Sequence, residues 1–72
     1  MKPVFVFKTS VANRAAINHL KPLLDDLILH GDRWNFDLED CDNILRVESA
    51  SCHAAQVINV LEVAGYDCEE LQ

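Results

Sequence analysis

The stretch FKTSVANRAAINHL, residues 7–20, joins an apolar segment to a helical pattern through a short polar turn, and the rest of the fold is read outward from it. Upstream, Val4, Phe5, Val6 and Phe7 are β-branched or aromatic throughout, which suits a central strand flanked on both sides, and Pro3 is tolerated at a strand's first position. Downstream, Val11, Ala16, Ile17, Leu20, Leu23, Leu24 and Leu27 recur at helical spacing. Ser10 is the expected N-cap and Gly31 the expected stop, giving a helix of about five turns. Pro22 falls inside this helix and is expected to remove one backbone hydrogen bond and bend it.

Beyond the helix, RWNFDLED alternates, with Trp34, Phe36 and Leu38 on one face and Asn35, Asp37 and Glu39 on the other. After the turn EDCDN, the segment ILRVES directs Leu45 and Val47 inward and Arg46 and Glu48 outward, so the two segments pair as a hairpin with Arg46 across from the carboxylates. A second helix is expected to begin near Ser51, to bury Ala54, Val57, Ile58, Leu61 and Ala64, and to end at Gly65 in a left-handed turn. The closing YDCEEL reads as a short, charged edge strand. The order strand, helix, strand, strand, helix, strand, with right-handed crossovers, predicts an α+β fold of the ferredoxin-like βαββαβ type, an antiparallel sheet with both helices on one face. One domain spanning 1–72 is expected, because a chain this short buries only about 60% of its unfolded surface and has room for one core.

Six basic against twelve acidic residues give a formal net charge of −6, which repels phosphate backbones and anionic lipid. Neither nucleic acid nor a membrane is expected as a partner. The apolar run VFVF is too short for a signal-peptide core or a membrane span, so a cytoplasmic location is expected. Cys41, Cys52 and Cys68 are odd in number and widely spaced, and describe no disulfide framework.

The opening FKT, the apolar Val11, Pro22, WNFDLED, NILRVES and VLEVAGYDCEEL, in this order and spacing, resemble the heavy-metal-associated domains of copper chaperones and metal-pumping ATPases over essentially the whole chain. In that family two cysteines separated by two residues, at the turn from the first strand into the first helix, hold a soft cation through paired thiolates. Their positions fall at Asn13 and Ala16 here. Asn offers a weak neutral oxygen and Ala offers nothing, so the resemblance implies the scaffold without its metal site, and no cofactor is expected.

The remaining residues suggest three other chemistries. His30, Cys52 and His53 form the best remaining ligand set, of a type suited to zinc, although adjacent helical residues diverge by about 100°. The competing reading is a histidine at a helix C-terminus together with surface residues near a cap. Acylphosphatases share the general topology and place an arginine near the first strand-to-helix turn, where Arg14, Ser10 and Asn13 stand in this chain. The glycine-rich phosphate loop is missing, and the only glycines are Gly31 and Gly65. Ser51, Cys52 and His53 contain a nucleophile and a base, but contiguous residues do not converge as catalysis requires.

Cys41 is expected to be exposed in the hairpin turn, Cys68 to face the core, and His19 to be solvated beside the buried stripe. Asn35, Asp37, Glu39, Glu48, Asp67 and Glu69 are expected to form an acidic sheet face, solvated or used for docking. Val4 and Val6 have outward parity on the first strand and add an apolar strip. The function expected from these residues is a non-enzymatic interaction or regulatory module, with Val4, Val6, Asp37 and Glu39 at the interface and a protein partner of basic surface. The alternative is a metal-binding protein using His30, Cys52 and His53.

Overall fold

A computed structural model describes residues 2–28, 32–39, 43–50 and 52–71. The elements run β1 (Val4–Thr9), α1 (Arg14–Leu27), β2 (Arg33–Asp37), β3 (Ile44–Glu48), α2 (Ala54–Val63) and β4 (Cys68–Leu71). The strands form one sheet of order β2-β3-β1-β4 in which every pairing is antiparallel. This is the ferredoxin-like α+β arrangement, with β1 and β3 central.

Alternation along the central strands decides which face the helices cover. Phe7, Leu45 and Val47 point inward and are fully buried against Leu20 and Leu24 of α1 and Val57 and Leu61 of α2. Burying side chains of this size contributes roughly 1.5–3 kcal/mol each, which makes this layer the main source of stability in so short a chain. Trp34, Phe36 and Cys68 pack on its margin. Trp34 is half-buried, stands edge-on to Phe36 at 5.9 Å, and donates from Nε1 to Asp25 Oδ1 at 2.9 Å.

Both helices start later than the sequence pattern predicts. Ser10 does not cap α1. Its N–H donates to the Asp67 carbonyl at 3.1 Å and its Oγ accepts the Asp67 N–H at 2.8 Å, so it ties the end of β1 to the approach of β4. Thr9 Oγ1 accepts the Val11 N–H at 3.2 Å and donates to the Asn43 carbonyl at 2.7 Å, which commits the next backbone donor as well. The helix therefore begins at Arg14, with extended Asn13 as its cap. At the other end Ile28 has left helical dihedrals, so α1 has 14 residues, about four turns, and the expected stop at Gly31 lies outside the described residues. Pro22 sits within the helix. Pro22 and Asn18 are both exposed, so the bond that proline cannot make to the residue four back lies on the solvent side.

For α2, the Cys52 N–H donates to Ser49 Oγ at 3.0 Å and holds the approach extended. The cap is His53, whose N–H donates to Gln56 Oε1 at 2.9 Å, and the expected cap Ser51 lies outside the described residues. The C-terminus follows expectation: Gly65 has φ +98°, its N–H donates to the Glu62 carbonyl, and the Tyr66 N–H reaches the Leu61 carbonyl. That pair of bonds is the Schellman arrangement.

Candidate functional site

Two regions bear on function: the turn between β1 and α1, and the sheet face that neither described helix covers. In the turn, Asn13 adopts φ −152°, ψ 167°, and its Oδ1 accepts the Ala16 N–H at 2.8 Å. The two positions where the family resemblance places metal ligands are thus joined to each other as a helix cap. Val11 is fully buried and Ala16 is 9% exposed, so Ala16 belongs to the core and not to a surface loop. Asn13 itself is exposed, with its carbonyl oxygen already engaged. Arg14 is exposed on the first turn of α1. Serine, threonine and asparagine side chains here close the turn's own backbone groups, which is a structural use of residues that could otherwise have received an anion.

The uncovered face is assembled by the strand registers. One row reads Arg33, Glu48, Val4; the next Asn35, Arg46, Val6, Leu71; the third Asp37, Ile44, Lys8, Glu69. Arg46 approaches Asp37 at 3.7 Å, as expected from the hairpin. The expectation of an acidic face is corrected by this pairing: Arg33 stands opposite Glu48 and Lys8 opposite Glu69, so acids and bases alternate across it. Asp67 precedes β4 and is held by Ser10, and Glu39 follows β2, so neither belongs to the strand rows. Each strand's parity identifies Lys8, Arg33 and Leu71 as members, but only the register shows whom they face.

Val4 is 56% exposed and Leu71 38%, and both flank Val6 in a narrow apolar strip. At the Val4 end an open groove of about 570 Å3 continues toward Arg33, Trp34 and Glu48.

The sulfur and imidazole candidates are separated by burial. Cys52, expected at the surface, is only 5% exposed; burial and the nearby Asp32 carboxylate push its thiol pKa up, which holds the sulfur protonated. His53 is exposed beside it at the helix cap, and His30 lies outside the described residues, as does Cys41. Cys68 takes its expected core-facing side, and burial, reinforced by Glu62, pushes its thiol from 9.0 up to about 12. His19 is exposed and stacks edge-on against Tyr66 with Nδ1 3.4 Å from its hydroxyl. Among the described residues, no group of three His, Cys, Asp or Glu side chains is placed to hold a metal ion.

One polar cluster escaped the sequence pattern. The Asp32 side chain is only 7% exposed, lies 2.8 Å from Lys2 Nζ, and accepts from Ser49 Oγ at 2.7 Å. Ser49 is itself fully buried. With the Ser49 N–H donating to the Pro3 carbonyl, these contacts fasten the approach to β1 to the starts of β2 and α2. Nothing in the periodicity marks Asp32, because Lys2 before β1 and Ser49 after β3 are both far from it in the chain.

These features define a ferredoxin-like α+β domain with a closed first turn and an open sheet face. No family model, curated protein or solved structure matches the chain. Among the described residues, no helix is long and apolar enough to cross a membrane.

Proposed function

We propose that the chain is a non-enzymatic interaction or regulatory module, a relative of heavy-metal-associated domains in which the first turn has become a helix cap and the open sheet face docks a protein. The observation that carries the reading is the apolar strip of Val4, Val6 and Leu71 on a face that neither described helix covers, bordered by paired charges. Apolar contact ringed by polar groups is the anatomy of a modest protein interface. The partner has a basic surface: the formal net charge of −6 attracts it at long range, while the strip makes the contact. Asp37 and Glu39 lie at the β2 border of this surface, where they meet that charge. Nucleic acid and anionic lipid are disfavoured by the same field, and the reading places the module in the cytoplasm. Metal binding through His30, Cys52 and His53 is the weaker alternative, because the Cys52 sulfur is buried and protonated.

The test is affinity capture from the source cells with wild type and Val6→Lys as paired baits, quantified by mass spectrometry. The reading predicts that a basic protein is retained by wild type, is released as salt rises, and is lost with Val6→Lys. Identical capture by both baits contradicts the docking face.

A further inference from the structure

The outer edge of β2 carries a symmetry in its own residues. Its sequence is Arg33, Trp34, Asn35, Phe36, Asp37, and the sheet order leaves it paired with β3 alone among the described strands. An antiparallel pairing of two such edges, centred on Asn35, sets Arg33 of one chain opposite Asp37 of the second copy, and Trp34 opposite Phe36, each contact occurring twice. Opposite residues in an antiparallel pair share a face. The charged pairs therefore fall on the open face, where Arg33 and Asn35 are exposed and Asp37 is half-buried, and the aromatic pairs fall on the helix side. Both kinds of pair are among the stabilising cross-strand contacts.

The charge pattern also continues without conflict. Arg33 already stands opposite Glu48, and Asp37 lies 3.7 Å from Arg46, so across the new boundary the row reads acid, base, acid. The other edge of the sheet behaves differently. β4 is Cys68, Glu69, Glu70, Leu71, and every antiparallel self-pairing of three or more of its residues sets acid against acid: Glu69 against Glu69, Glu70 against Glu70, or one against the other. That edge repels its own copy, as sheet edges commonly do, whereas β2 matches its own copy.

We propose that two chains associate through β2 about a twofold axis, forming a continuous eight-stranded sheet with the Arg33–Asp37 pair at each end of the seam. The interface is isologous and closes on itself, so the product is a dimer and not a fibre. This inference is argued from the β2 edge alone; it leaves the strip of Val4, Val6 and Leu71 uncovered and shares Asp37 with the border of the docking face.

Charge reversal in two separate proteins tests it. Arg33→Glu alone and Asp37→Arg alone each place like charges at both ends of the seam, and each is expected to weaken self-association about tenfold or more. An equimolar mixture of the two restores opposite charges at both ends and is expected to form a mixed dimer with affinity near that of wild type. Analytical ultracentrifugation from micromolar to millimolar concentration reads the association, and circular dichroism confirms that each variant is folded. Arg33→Gln, which removes the charge without reversing it, gives an intermediate loss and serves if a reversal unfolds the chain. A wild type that stays monomeric throughout, variants that associate like wild type, or a mixture that regains nothing overturns the proposal. Rescue of Arg33→Glu by Glu39→Arg in place of Asp37→Arg would shift the register by two residues and overturn this pairing as well.

Discussion

Asn13 Oδ1 accepts the backbone N–H of Ala16 at 2.8 Å, and this bond joins, as the start of a helix, the two positions where the family resemblance would put metal ligands. Asn13→Ala removes the acceptor. It is expected to destabilise the domain by about 1 kcal/mol, the usual worth of an N-cap, lowering the melting temperature by about 4–8 °C, whereas Asn13→Asp or Asn13→Ser retains most of it. Thermal melts followed by circular dichroism decide this. A melting temperature unchanged in Asn13→Ala would show that the cap contributes nothing.

Thr9 and Ser10 are neighbours with unequal consequences. Thr9 is 7% exposed and serves two backbone groups at once, those of Val11 and Asn43. Thr9→Val leaves both without their partner in the core, at a cost of about 1–3 kcal/mol. Ser10→Ala removes one exposed bond to Asp67, where water can replace the hydroxyl, and should cost about 0.5 kcal/mol. Urea titrations of the two variants should differ in midpoint at equal slope. Equal losses would contradict the burial argument.

The pattern of the sequence carried most of the fold because its strongest signals were periodic. Trp34, Phe36, Leu45 and Val47 revealed inward faces by alternation, and Leu20, Leu24, Val57 and Leu61 revealed helix stripes, since these residues answer to one core. Gly65 was legible because its positive φ suits glycine. Helix starts were not, because Ser10 looks like a cap from sequence and is claimed by Asp67, while Ser49, bonded to Asp32, holds Cys52 extended ahead of α2; these partners are supplied by the tertiary fold. The charge of the open face was misread for a related reason: listing acids strand by strand omits Arg33 and Lys8, and the balance is set across strands.

The buried Cys52 and half-buried Cys68 thiols predict an alkaline weakness. Below the unfolded pKa, about 9, both folded and unfolded chains hold the proton and Cys68 contributes no pH dependence. Between there and the folded value of about 12 the unfolded thiol ionises while the folded one does not, so unfolding releases a proton and stability falls as pH rises. Cys52 acts in the same direction. Urea midpoints measured at intervals from neutral pH to pH 10 should therefore fall more steeply for wild type than for Cys68→Val, which keeps the packing and removes the titration. Parallel profiles would show that the Cys68 environment is not as dry as its burial implies.

We propose that a relative of heavy-metal-associated domains has had its first turn converted into a helix cap, and Cu(I) affinity separates this reading from a working metal site. In a background with Cys41, Cys52 and Cys68 replaced by Ser or Ala, the chain retaining Asn13 and Ala16 is compared with one carrying Asn13→Cys and Ala16→Cys, both confirmed folded. The new thiolates would sit at the first turn of α1, where the helix dipole lowers thiol pKa and favours the metal-binding form. In competition against a Cu(I) chelator, tight one-to-one binding is expected of the double variant and none of its parent. Tight binding by the parent, or a folded double variant that fails to bind, would contradict it.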